Sequence, residues 1–233
     1  MYPDNPCAHN WLIKRTLNRL IEKRVALLSG TVLDLGCGAR PFEKEISKYA
    51  SQYFGVDWGQ SLHGVHADVI ADLNTPLPIR EGAVDHVVSF EVLEHLAEPR
   101  VMLAEAYRAL RPGGELTISV PFQWWVHEGP WDYFRYTRYG LQYILEKAGF
   151  ENVVILPTTG FWSMWILKLN YQLARLVRGR GIGRLVLLGM LCPVWWVSQK
   201  IAAALDRVWP EERETAGYFV TARKPDLPHE GCG

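Results

Sequence analysis

The stretch VLDLGCG, residues 32 to 38, decides how the rest of the chain is read. Val32, Leu33 and Leu35 surround a single carboxylate, Asp34, and the chain then turns through Gly36, Cys37 and Gly38. A short apolar run closed by glycines reads as a strand ending in a turn, and glycines there let another group approach the backbone closely. Outward from it, strands are expected at 31–35, 52–57, 66–71, 84–90 and 114–121, with helical patterns at 42–50, 98–110 and 137–148. Short apolar strands separated by helices predict a parallel sheet covered on both faces. Ligands of such sheets bind beyond the carboxyl ends of the strands, where this turn lies.

A dinucleotide fingerprint would need a third glycine where Pro41 stands, so the match fails at the point of close helix–strand packing. Asp57, ending the next strand in YFGVDWG, is placed to accept hydrogen bonds from a ribose diol. A nucleoside is therefore favoured over a pyrophosphate.

The 233 residues are 48% hydrophobic, and 25 basic residues balance 25 acidic ones, which gives no reason to expect nucleic acid as a partner. The charge is unevenly spread. Residues 1–28 hold five basic and two acidic residues, and residues 152–205 hold six basic and no acidic ones. Cys7, Cys37, Cys192 and Cys232 show neither pairing nor metal-ligand spacing, and no secretory signal opens the chain; a reducing, cytoplasmic setting is expected.

Several stretches in order resemble the class I S-adenosylmethionine-dependent methyltransferases of the type 11 kind: VLDLGCG, FGVDWG, ADLNTPLPI, VDHVVSFEVLEHL and LRPGGELTISVP. The resemblance covers about 30–158 and 215–224. It implies an α/β, Rossmann-like, seven-stranded and mostly parallel sheet with helices on both faces, and S-adenosylmethionine as cofactor. By the same resemblance Gly36, Cys37 and Gly38 let the backbone approach the methionine and ribose part, with Asp34 near its amino end. Asp57 would hold the ribose hydroxyls, Trp58 would lie on the adenine, and Asp72 with the Leu73 backbone would fix the ring. Ser89, Phe90 and Glu91 would line the methionine side. The bland reading makes Asp34 and Asp57 turn or cap residues.

Methyl transfer is an in-line displacement, so much of the acceleration comes from holding the acceptor collinear with the carbon–sulfur bond. Candidates for acceptor contact or base lie in PFQWWVHEGPWDYFRYTRYGL, residues 121–141, where eight aromatics are interleaved with charged groups. His127 has a suitable ordinary pKa for a base, with Glu128 and Tyr133 as further catalytic candidates. The competing reading is an aromatic plug over the sheet end, with His127 a hydrogen-bonded loop residue. In EVLEHL, the i, i+3, i+4 spacing of Glu91, Glu94 and His95 would put them on one helix face able to gather a divalent metal. The same letters are common in members of the family without metal, and no remote histidine pair is evident, so no metal is expected.

Three segments are expected: an N-terminal amphipathic helix at 1–28, the methyltransferase domain at 29–159 and 210–225, and a helical insertion at 160–209 between the last two strands, which the family pairs antiparallel. About 55 residues intervene there, more than a structureless loop. LVLLGMLCPVWWV is a thirteen-residue apolar run broken by Pro193, too short to span a bilayer, and RGRGIGR is a basic turn. A basic, Trp-rich hairpin suits a peripheral position on the inner face of the membrane, with the first helix beside it. The expected reaction is transfer to an oxygen or nitrogen of a small, amphipathic or lipid-linked acceptor. A dimer interface or acceptor lid on a soluble enzyme, and a silent cofactor-binding scaffold, stay open as alternatives.

Overall fold

In the computed structural model, residues 1–59, 64, 66–177 and 181–226 are described. The strands are β1 (Thr31–Leu35), β2 (Gln52–Asp57), β3 (Val69–Ile70), β4 (Val84–Phe90), β5 (Leu110–Pro121), β6 (Glu151–Pro157) and β7 (Gly217–Arg223). They form one sheet in the order β3-β2-β1-β4-β5-β7-β6, with the β2–β3, β1–β2, β1–β4 and β4–β5 pairs parallel. This is the Rossmann-like, mostly parallel sheet that the sequence implies. The strand order reverses between β1 and β4, which opens a crevice at their carboxyl ends. β1 and β4 are buried along almost their whole length, as strands covered on both faces must be.

The helices are α1 (Trp11–Val25), α2 (Glu43–Ile46), α3 (Pro99–Ala109), α4 (Arg138–Lys147), α5 (Phe161–Ala174) and α6 (Ile182–Val208). In α3, Met102, Leu103, Ala106 and Ala109 supply the buried stripe and Pro99 opens the first turn, where its missing N–H costs nothing. α4 starts at Thr137, whose Oγ1 accepts from the Gly140 N–H at 3.1 Å, a cap worth about 1 kcal/mol.

Several boundaries differ from expectation. Helix forms over only 43–46 of the expected 42–50, and ladder pairing over only Val69–Ile70 of 66–71. β5 begins at Leu110 rather than at 114. Val84 pairs with Leu110 but His86 pairs with Glu115, so Arg111–Gly114 form a bulge inside the strand. EVLEHL makes a 3-10 turn at Leu93–His95 instead of a regular helix, and Glu91 before it takes a positive φ of 56°. Glu91, Glu94 and His95 therefore do not share a helix face.

The chain divides into two units, residues 1–21 with 157–217, and residues 22–156 with 218–233. Within the first, Leu12 N–H donates to Gln199 Oε1 at 2.8 Å, and His9 lies edge-on to Tyr171 at 4.3 Å. Cys7 and Cys192 form a disulfide, which corrects the expectation of unpaired cysteines; they stand 185 residues apart, and only tertiary packing brings them together. Cys37 is free and buried. Cys232, and residues 178–180 of the expected basic turn, lie outside the described residues.

α6 is a continuous helix of 27 residues that runs through Pro193, so the proline does not end it. Proline removes one helix bond, to residue 189, and costs about 3 kcal/mol in a helix interior. The buried Trp195, Gln199 and Ala202, spaced i, i+4, i+7, hold the helix past that point. Asp206, near its end, accepts from the backbone N–H groups of Gly160 (3.2 Å), Trp162 (2.9 Å) and Ser163 (3.1 Å) and so caps α5. Outside that stripe Leu185, Val186, Met190, Val194 and Trp196 are exposed.

Candidate active site

At the end of β1 the Gly36 and Cys37 N–H groups both donate to Val56 O, at 2.8 and 3.1 Å, which folds the turn back over β2. Gly36 has φ +80°, and a Cβ there would overlap the Val92 methyls. Gly38 has φ +50° and faces open space, with nothing within 4 Å of where a Cβ would stand. One glycine closes the turn and the other leaves it accessible. Cys37 packs inward, 3% exposed, so it offers a ligand only its backbone.

Two carboxylates lie beneath this turn. Asp57 is 6% exposed and accepts from Gly38 N–H at 2.6 Å, so it shapes the turn as well as facing the crevice. Burial raises its pKa, against the Gly38 and Trp58 N–H groups. Asp34 is 2% exposed and accepts from the Tyr53 hydroxyl at 2.6 Å; burial pushes it up to about 7, with Tyr53 opposing. The Arg40 guanidinium sits over the Tyr53 ring and pairs with Asp68, whose carboxylate also accepts from Gly55 N–H. Tyr53 and Arg40 have no motif of their own. Only the pairing of Val32 with Tyr53 in the β1–β2 ladder brings Tyr53 to Asp34.

The remaining expected cofactor residues divide. The Trp58 ring meets Trp131 edge-on at 5.2 Å. Asp72 is exposed and accepts from the backbone and side-chain amides of Asn74, at 2.9 and 2.8 Å, while Leu73 is buried. Ser89 donates its hydroxyl to Leu35 O at 2.7 Å and Phe90 packs between Phe42 and Phe219, so both support the crevice from behind. Glu91 donates its backbone N–H to Ser119 O, and burial raises its carboxyl pKa.

The aromatic segment is fastened to the 3-10 turn. Tyr133 and Phe134 N–H groups both donate to Glu94 O, the Tyr136 hydroxyl donates to Leu93 O at 3.1 Å, and His95 Nδ1 bonds Trp131 O at 2.7 Å. This places His127 beside His95, ring centroids 4.9 Å apart, with Glu94 next to both. Glu94 is fully buried; burial, and after it the Glu91 charge, raise its pKa well above the carboxylate range. Burial and then His95 lower the His127 imidazole. Burial pulls Asp132 upward, but Arg135 and the His127 N–H outweigh it and hold its carboxyl at about 2. Glu128, at φ +51°, is half-buried and Tyr133 is exposed; among the described residues neither belongs to the cluster of potential metal ligands around Glu94.

The methyltransferase domain model named Methyltransf_23 matches residues 10–155, more than half of the chain. The chain belongs to that family. It is an S-adenosylmethionine-dependent methyltransferase. A ubiquinone biosynthesis O-methyltransferase of Pseudomonas paraeruginosa is 28% identical over 175 residues, covering 68% of this chain and 69% of that protein. Among solved structures, the cyclase SpnF aligns with TM-score 0.60 at 19% identity, over 92% of this chain and 81% of that one. A Haemonchus contortus phosphoethanolamine N-methyltransferase, bound to S-adenosylhomocysteine, aligns with TM-score 0.58 at 16% identity, over 94% and 56%. These two likenesses show the fold. The methyltransferase's crevice fits the cofactor on its own terms: the open face of Gly38 gives room for the ribose and methionine part, and Asp34 and Asp57 offer acceptors to an ammonium and a diol.

Proposed function

We propose that this methyltransferase transfers the methyl group to an oxygen or nitrogen of a small amphipathic or lipid-linked acceptor while resting on the inner face of a membrane. Bound S-adenosylmethionine supplies an electrophilic methyl carbon. The chain's own residues hold the donor at Asp34 and Asp57 and accept the acceptor's proton on the side of Glu94, His95 and His127. His127 carries the acid–base role in this reading, with Glu128 and Tyr133 at the rim of the acceptor site.

The observation that carries the membrane reading is the exposed apolar face of α6. The helix is long enough to cross a bilayer, yet its last third, from Gln199 to Asp206, is engaged with other protein groups. The apolar stretch from Ile182 to Val197, which the Cys192 disulfide and the buried Trp195 tie to the protein along one side, is about 24 Å long at 1.5 Å per residue, short of the roughly 30 Å hydrocarbon core. That length favours lying at the interface. The apolar positions of α1, including Trp11, Leu17 and Ile21, are buried inside the protein, so α1 adds basic residues and no apolar face. The cysteine argument for a reducing compartment no longer stands, because of the Cys7–Cys192 bond. The inner face rests instead on the basic, acid-free insertion. The resemblance to an O-methyltransferase of ubiquinone biosynthesis agrees with an oxygen acceptor of apolar character.

The test is transfer of label from methyl-labelled S-adenosylmethionine to bacterial extracts split into organic and aqueous phases. Label in the organic phase, lost in His127→Ala with cofactor affinity kept, supports the reading. Label confined to the aqueous phase makes the enzyme a soluble small-molecule methyltransferase, with α6 covered by a second copy or serving as a lid. No label in any fraction by protein that binds the cofactor leaves the silent scaffold.

A further inference from the structure

We infer that the Cys7–Cys192 disulfide is a redox-modification site: a dithiol opens it, and the first part of α6 then swings at Pro193. Both cysteines belong to one unit of the chain. Cys7 lies exposed at the surface, so a dithiol reaches the bond. Two electrons and two protons pass from the dithiol to the cysteines, which become thiols, and the dithiol's own sulfurs close into a disulfide. The inner face of a membrane, proposed above as the enzyme's place, is a reducing setting, and disulfides found there are transient or redox-sensing. That motive rests on the proposed location. What opening the bond does to α6 does not.

The bond joins two segments that are held in different ways. On the Cys7 side, hydrogen bonds flank the cysteine: Tyr2 N–H donates to Asn18 Oδ1 at 3.0 Å, Asn18 Nδ2 donates to Tyr2 O at 2.9 Å, and Ala8 O accepts from Gln199 Nε2 at 3.1 Å. The His9 ring lies edge-on to Tyr171 and Trp195, at 4.3 and 5.7 Å, and Asn10 Nδ2 donates to the Tyr171 hydroxyl at 3.1 Å. Opening the disulfide leaves all of these in place. On the Cys192 side, no side chain from Ile182 to Leu191 is buried, and the buried side chains of α6, Trp195, Gln199 and Ala202, all come after Pro193. Cys192 is the last residue before that proline.

Pro193 supplies the joint. It lacks the N–H that would bond Gly189 O, and helices bend at such prolines. Gly189, one turn earlier, weakens the helix further, and nothing lies within 4 Å of where its Cβ would stand, so no neighbour braces that point. Beyond the joint, Gln199 is bonded to Ala8 O and to Leu12 N–H, and Asp206 caps α5, so the second part of the helix is fixed without the disulfide. A covalent tie one residue before the joint thus sets whether the exposed Leu185, Val186 and Met190 stay in line with the anchored part or turn away from it. On the membrane reading, reduction gives that apolar part the freedom to settle among lipid headgroups.

The test is amide hydrogen exchange, read by mass spectrometry, on the full chain without lipid or cofactor, before and after reduction with dithiothreitol. Alkylation of Cys7 and Cys192 in the folded protein reports that the bond has opened. Exchange over 182–191 is expected to rise by about 10-fold or more, while 2–12 and 195–206 keep their protection, and reoxidation reverses the change. Cys7→Ser behaves like reduced wild type and ignores dithiothreitol. Pro193→Ala, which returns an N–H to Gly189 O, blunts the rise. S-adenosylhomocysteine binding serves as the folding control for each form. Unchanged exchange over 182–191 overturns the inference, and so does a bond that resists dithiothreitol in folded protein. A rise spread over the whole chain also overturns it, since the disulfide is then a staple of the fold. No lipid is present, so failure here and failure of the membrane reading are separate results.

Discussion

The crevice under the glycine turn and the outer face of α6 break the same rule in opposite directions. At the crevice, charged groups are inside: Asp34 and Asp57 are 2% and 6% exposed. On α6, apolar groups are outside: Leu185 and Met190 are 64% and 65% exposed. Folding alone favours neither arrangement, and buried polar groups and exposed apolar patches are where a surface carries information. The buried acids each hold a hydrogen bond and, on our reading, serve a polar ligand. The apolar face is kept because, on our reading, lipid covers it.

The contrast can be broken most forcefully through Asp34. Its carboxyl is raised from its ordinary value to about 7, so the native state holds a proton that the unfolded chain has released. The stability this confers is complete below about pH 4 and is lost as pH rises through 7, at about 1.4 kcal/mol per unit and about 4 kcal/mol at most. Asp34→Asn should flatten that decline in denaturant titrations of the cofactor-free protein between pH 4 and 8. An unchanged slope would mean that Asp34 is not the buried acid described here.

Gly36→Ala comes next. It adds a methyl where Val92 stands and at φ +80°, with an expected loss of about 3 kcal/mol of stability and of measurable cofactor binding. Gly38→Ala, which meets no neighbour, is expected to fold better than Gly36→Ala while still weakening the cofactor. Asp57→Ala should weaken S-adenosylhomocysteine by about 1 to 3 kcal/mol through loss of the charge-assisted ribose bonds. An unchanged dissociation constant would remove Asp57 from the site.

The smallest effect belongs to α6. Arg184→Gln should cost about 1 kcal/mol of binding to phosphatidylglycerol vesicles and nothing to neutral ones. Equal losses on both, or no flotation of wild-type protein with either, would take away the lipid and leave the apolar face to a second copy.

Much of the crevice was legible from the chain. The apolar runs around Asp34 and Ser89 have strand length, glycines punctuate the turn, and Asp57 ends its strand, all of which are local signals. What was not legible depends on register or on tertiary contact. Tyr53 reaches Asp34 only across the β1–β2 ladder. The spacing in EVLEHL suggested one helix face with Glu91 on it, whereas the positive φ at Glu91 and the short 3-10 turn send Glu94 and His95 toward His127. Cys7 and Cys192 carry no spacing signal at 185 residues apart. Pro193 was read as a break because local propensity says so, but the buried stripe of Trp195, Gln199 and Ala202 overrides it.

The most direct test of the central claim is calorimetric titration of the full chain with S-adenosylmethionine and S-adenosylhomocysteine, alongside Asp57→Ala. The account predicts one site for each ligand at micromolar affinity and a loss of about 10- to 100-fold in the variant. Folded protein that binds neither ligand, or a variant that binds both as well as wild type, would contradict it.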